Sequence, residues 1–411
     1  MTFWASPSAR PCSRTSTPCT ERIDSGTVTK CLNIALVCAL VLLFAGYAMP
    51  RTAATSRGDC KTCAGVGSVA CKKCKRKLCT GESAVSFCSD AVSCQACLGL
   101  RAVDCKRCEN GEAELEAKRQ AQTEWLDSVR AIDTFMEKEL HHAETAHFKI
   151  TYDLKSVDAK GGGTAHGGMH LYLDRLEALY ADFCQRLGAE DGDFFGKTHV
   201  MLWPKAREQE RASLRYTLQN SSTESKLMGA KPVVSIFYDK SHLHEEFELH
   251  QAVVHQVVHC LLSNVFDGIW PGNIKGGWID GGLAHWYETD FFGGVRHYCY
   301  VEADTLQRFK FGRWEAAVRS AVGTGKHVPF LRVVGRNTDE LNPEEHMYAW
   351  SVVDYVLRGH PGKFGPLARA LKQKRPVAEA LDETLGLSPF QFEEAWIAFV
   401  MEHYSLKAKG R

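Results

Sequence analysis

Apolar residues at Leu249, Ala252, Val253, Val254, Val257, Val258, Leu261 and Leu262 recur at steps of three and four, which predicts a helix buried on most of its circumference. A second helix is predicted upstream, with Leu171, Leu173, Leu176, Leu179, Tyr180 and Phe183 on its apolar side. Between and before these run short β-branched and aromatic stretches, His147–Tyr152, His199–Trp203 and Val233–Tyr238, each read as a strand. His346–Leu357 and Pro389–Tyr404 carry helical spacing again, the latter through Phe390, Phe392, Trp396, Phe399 and Val400. The pattern predicts an α+β domain over residues 144–411, long enough for one core.

Glu112–Glu144 is rich in Glu, Ala, Lys, Arg and Gln, with Trp125, Val129, Ile132 and Met136 at helical spacing. It is predicted to be one amphipathic connector helix over 112–143, its apolar repeat too short for a coiled coil. Leu32–Met49 is an apolar run between Lys30 and Pro50-Arg51, read as a signal sequence or a single membrane anchor over 31–54. Residues 1–30 carry much Ser, Thr and Pro and read as a disordered tail or a mis-assigned start, with Val28 as the alternative initiator. The large domain is therefore expected outside the cytoplasm or tethered to a membrane.

Cysteine changes the picture more than any bulk property: 17 in all, ten of them between residues 60 and 108. Cys60-x-x-Cys63 and Cys71-x-x-Cys74 are seven residues apart, and Cys94-x-x-Cys97 and Cys105-x-x-Cys108 repeat that spacing. Four such knuckles offer eight thiolates, two tetrahedral sets, so the segment 58–111 is expected to fold on two zinc ions. An exported chain leaves a disulfide framework as the alternative. No CxxC is followed by His, which removes c-type haem attachment. The segment resembles the cysteine-rich module of DnaJ-type chaperones, whose unit is CxxCxGxG. Cys63-Ala64-Gly65-Val66-Gly67 fits that unit, and Arg101 departs from it in a later repeat. The resemblance implies a protein-binding module. Lys72, Lys73, Lys75, Arg76 and Lys77 are read as compensating the thiolates, and with a net charge of +1 nucleic acid is not an expected partner.

The apolar helix carries His255-Gln256-Val257-Val258-His259. Two His four residues apart lie on one helical face and can reach one metal ion. In a zinc-peptidase helix the residue after the first His is Glu, the base for a metal-bound water. Gln256 cannot take that proton. Further on, Gly277-Trp278-Ile279-Asp280-Gly281-Gly282-Leu283-Ala284-His285-Trp286-Tyr287-Glu288 resembles the second signature of the gluzincin (MA-clan) metallopeptidases. The resemblance extends over roughly 144–405 and implies a zincin-like fold, a small sheet with site helices and closing helices. It places the third zinc ligand at position 281, here Gly. It leaves Asp280, Glu288 and His285 as displaced ligands and Tyr348 as a candidate oxyanion stabiliser. The expected function is a pseudopeptidase that binds protein or peptide. The alternatives are an active zinc peptidase using displaced carboxylates, and a structural scaffold in which His255 and His259 are inherited core histidines.

Overall fold

The computed structural model describes residues 60–63, 67–73, 85–94, 96–100, 102–107, 111–155, 163–241, 243–297, 299 and 314–406. The tail at 1–30 and the apolar run at 31–54 lie outside the described residues, as do Cys74 and Cys108. The fold is mixed α and β. In chain order it runs β1 (Ser68–Ala70), β2 (Phe87–Cys88), β3 (Ala102–Asp104), α1 (Gly111–Met136), β4 (His141–Glu144), β5 (Phe148–Tyr152) and α2 (Ala165–Leu187). Next come β6 (Thr198–Trp203), α3 (Ala206–Ala212), β7 (Glu224–Leu227), β8 (Val233–Phe237), α4 (Glu246–Asn264) and α5 (Gly277–Phe292). The chain closes with α6 (Trp314–Gly323), α7 (Phe330–Val333), α8 (Pro343–Gly359), α9 (Phe364–Lys372), α10 (Val377–Leu385) and α11 (Pro389–His403). Among the described residues no helix is long and apolar enough to cross a membrane.

Six strands form one sheet in the order β2-β4-β5-β6-β8-β7. The inner pairs β5–β6 and β6–β8 are parallel, and the outer pairs are antiparallel. β6 and β8 are almost wholly buried, as central strands built from Val, Met, Leu, Trp and Ile should be. The edge strand β2 comes from the cysteine-rich segment, pairing Phe87 with Glu144 and Cys88 with Ala143. That segment is therefore joined to the large domain by backbone hydrogen bonds as well as by sequence. α1 docks beside it: Trp125 stacks on Phe87 with ring centroids 5.4 Å apart, and Gln122 donates to the Leu98 carbonyl. Trp125, Val129, Ile132 and Met136 all face inward.

The helix boundaries follow local chemistry. α2 starts at Thr164, whose hydroxyl accepts from the Gly167 N–H, and stops at Gly188 with φ 61°. α8 opens on Asn342-Pro343 with Glu345 completing a capping box, and α11 opens likewise on Ser388-Pro389 with Gln391. α5 packs between α4 and α8. The crossing with α8 is so close that a Cβ on Gly282 would sit 2.5 Å from the Ala349 carbonyl oxygen, so only glycine fits there. This crossing carries α4, α5 and α8 side chains to one point in the core.

Candidate functional site

At that point α4 presents His255 and His259, both fully buried, with their Nε2 atoms 3.3 Å apart. The i, i+4 spacing on a straight helix produces this convergence. Sequence reasoning left Asp280 as a displaced ligand; the geometry puts it behind the His259 imidazole. Its Oδ2 accepts from His259 Nδ1 at 2.9 Å and from the Thr338 hydroxyl at 2.7 Å, and its Oδ1 accepts from Trp270 Nε1 at 2.8 Å. Burial opposes ionisation, yet His259 and these hydrogen bonds hold the Asp280 carboxyl below its ordinary range. A carboxylate on Nδ1 fixes the tautomer and leaves the Nε2 lone pair facing His255, the usual support for a metal-ligating histidine.

Glu288 stands behind two other rings, its oxygens 3.6 Å from His255 Nδ1 and 3.7 Å from His285 Nδ1. It also accepts the backbone N–H groups of Arg296 and His297 at 3.2 and 3.1 Å. Burial pushes its carboxyl well above the ordinary range. Neither acidic residue therefore occupies the space in front of the His pair.

That space is filled by residues the sequence did not single out. Cys299, from the loop after α5, lies with His255 and His259 in one group whose donor atoms are all within 4.8 Å of one another. It belongs equally to a second group with His285 and His346. Its Sγ is 3.5 Å from His285 Nε2 and 3.8 Å from His346 Nδ1, and those two nitrogens are 3.2 Å apart. A Cβ on Gly281 would stand 3.0 Å from His346 Nδ1 and 3.3 Å from Cys299 Sγ. The position assigned to a third ligand by resemblance is thus vacated by Gly281, and His346 and Cys299 reach into it from elsewhere in the chain. No spacing rule links residues 255, 299 and 346, which is why the pattern did not disclose them.

Burial, followed by the neighbouring imidazoles, pushes His255 and His285 well below the ordinary histidine range, and burial first takes His346 down to about 3. The cluster is a set of buried neutral imidazoles and one thiol, which is the protonation state a cation would meet with least cost. Gln256 is held away from any acid–base role: its carbonyl accepts from Lys226 Nζ at 2.7 Å, and the same ammonium donates to the Cys299 carbonyl at 2.7 Å. Tyr348 is two residues beyond His346, roughly 200° around α8. Its ring meets Trp396 edge-on at 6.1 Å, so it packs against α11 and not against the cluster.

Beside the cluster lies a cavity of about 250 Å³ lined by Glu224, Lys226, Gln256, Trp270, Asn273 and Cys299, among others. β7 forms its rim. Phe237 N–H donates to the Thr223 carbonyl, so by antiparallel alternation the Glu224 and Lys226 carbonyls face away from β8. Both are already hydrogen-bonded, Glu224 to the Ser221 hydroxyl at 2.7 Å and Lys226 to the Gln219 amide at 2.8 Å.

The cysteine-rich segment forms two groups able to bind a metal ion. β1 and β3 pair antiparallel, Ser68 with Asp104 and Ala70 with Ala102, so the first knuckle meets the fourth at one end and the second meets the third at the other. Cys60, Cys63 and Cys105 make one group, and Cys71, Cys94 and Cys97 the other. The sulfurs of Cys60 and Cys105 are 3.8 Å apart and those of Cys71 and Cys94 are 4.0 Å apart, nearly twice a disulfide bond and suited to ligands around one ion. Gly67 N–H points at Cys63 Sγ at 3.3 Å, and Leu98 and Gly99 turn through positive φ as a knuckle requires. The chain matches no known family model and no curated protein.

Proposed function

We propose that the chain is a zincin-like protein without hydrolytic activity, in which the site helix holds a closed metal centre and the molecule acts by binding a protein or peptide. The observation that carries this reading is the arrangement around Gln256. The amide that stands at the base position is fixed by Lys226, and the Asp280 carboxylate is engaged behind His259. His255, His259 and Cys299 would be ligands, with His285 or His346 as the fourth, a borderline N/S set that suits zinc. When bound in a closed set of this kind, zinc contributes folding free energy rather than an activated water. Two further zinc ions in the cysteine groups fit the same reading.

Partner binding is supported by the cavity and its surroundings. With the Glu224 and Lys226 carbonyls capped by the chain's own side chains, a partner cannot add there as a strand through them, and the cavity suits a single inserted side chain. Leu214 and Leu218, exposed at 63% and 75%, precede the lining Gln219 and give a partner apolar contact. The apolar run Leu32–Met49 supports export or membrane anchorage.

The test pairs metal content with hydrolysis of unstructured fluorogenic peptides, for the purified chain, His255→Ala and Cys299→Ser. Loss of about one equivalent in each variant, with no chelator-sensitive hydrolysis in any, is expected. Hydrolysis that chelator abolishes and His255→Ala removes would replace this reading with an active zinc metallopeptidase.

A further inference from the structure

A third convergence of soft ligands lies away from the core cluster. Cys88 closes the edge strand β2, and His166 and His170 sit one turn apart in the first turns of α2. Cys88 Sγ is 3.5 Å from His166 Nε2 and 3.8 Å from His170 Nε2, and the two nitrogens are 2.9 Å apart. For a tetrahedral ion with zinc–sulfur near 2.3 Å and zinc–nitrogen near 2.0–2.1 Å, the corresponding separations are about 3.5 and about 3.3 Å. The three atoms thus stand close to where one ion would hold them.

Hydrogen bonding alone does not account for the triangle. Each neutral imidazole Nε2 offers one in-plane lone pair or one proton. If the thiol and one imidazole both donate to the other imidazole, two hydrogens compete for a single lone pair. If both imidazoles donate to a thiolate, their two N–H groups confront each other across 2.9 Å. Even where the sulfur accepts from one imidazole and donates to the other, the contact between the two nitrogens is left without a hydrogen bond, whereas a cation engages all three atoms at once. His170 is 4% exposed and its Nδ1 has no hydrogen-bond partner, so its polar functionality is directed to Nε2.

We propose that Cys88, His166 and His170 bind one zinc ion through a thiolate and two neutral imidazoles. Because β2 belongs to the cysteine-rich segment and α2 to the large domain, the ion ties the two together at the sheet edge.

The experiment uses the purified full chain, zinc-loaded and cobalt-substituted, beside His166→Gln and Cys88→Ser. His166→Gln alters a half-buried position near the start of a helix and should leave the fold intact. Each variant is expected to lose about one equivalent of metal, and Cys88→Ser also the absorption of a single thiolate–cobalt bond. Unchanged stoichiometry and spectra in both variants would overturn the site. Should a variant fail to fold, alkylation of Cys88 in metal-stripped wild type, read by peptide mass with and without added zinc, decides the matter. Protection by zinc supports the site, and equal labelling overturns it.

Discussion

Gly281 and Asp280 are adjacent, and their roles diverge because one faces the ligand cluster and the other stands behind it. Glutamate at 281 is what the peptidase resemblance would call for, yet a β carbon there already comes within 3.0 Å of His346 Nδ1 and 3.3 Å of Cys299 Sγ. Gly281→Glu is therefore expected to destabilise the protein by about 1–3 kcal/mol through overpacking and to lower core metal content. Denaturant unfolding and metal analysis check this; a variant as stable as the parent that gains metal would show that the third-ligand space is still open. Asp280→Asn tests the other role. The amide cannot hold His259 as a carboxylate does, so metal affinity at the core should fall about 10–100-fold, with the knuckle metals unaffected. Competition with a chelator of known affinity measures it, and unchanged affinity would remove Asp280 from the supporting shell.

At the scale of elements, α4 matters most, and its C-terminal end is held in an unusual way. Lys372, from the end of α9, is 1% exposed and donates to the Leu262 and Ser263 carbonyls at 2.9 and 2.6 Å, capping the helix that carries the His pair. Burial, opposed by Asp280 and Asp267, brings its ammonium down from 10.5 to about 8. Between those values the unfolded chain keeps a proton that the folded chain has released, so this residue makes stability rise with pH from about 8 to about 10.5. Below that window the burial cost is present in full. In Lys372→Met the rise should vanish, so the parent gains on the variant as pH climbs through the window. Unfolding at several pH values reads the difference directly, and parallel curves would mean that the ammonium is not desolvated. None of this was legible in the sequence, since the contact joins residues far apart in the chain. What was legible is local: the apolar steps of α4, the strands at 148–152, 198–203 and 233–237, the CxxC spacing, and the His pair. Cys299, His346 and Cys88 were not legible, because a single cysteine or histidine acquires meaning only when the fold brings its partners to it.

The whole molecule divides by what keeps each part folded. The large domain has an extensive apolar core on one face of the sheet, from Phe148 and Leu173 to Val353 and Trp396, and a smaller cluster on the other face with Ile132, Met136, Met201 and Trp203. The described part of the cysteine-rich segment buries little besides its own cysteines, with Cys63, Cys71, Cys97 and Cys105 at 8% exposure or less. With so little apolar area, the segment would draw folding free energy from any metal its cysteines bind, whereas a core of that extent has less need of one. Chelation should therefore act unevenly. Amide exchange in β1 and β3, and proteolysis within 60–107, should rise to near unfolded levels, while β5, β6 and β8 keep their protection. Loss of the core metal would register separately, as a lowered melting temperature of the large domain. Hydrogen exchange with peptide resolution, before and after chelator, distinguishes the cases. Equal loss across both parts would mean that the core centre is required for the domain to fold at all. Unchanged exchange in β1 and β3 would mean that packing against α1 holds the segment without metal.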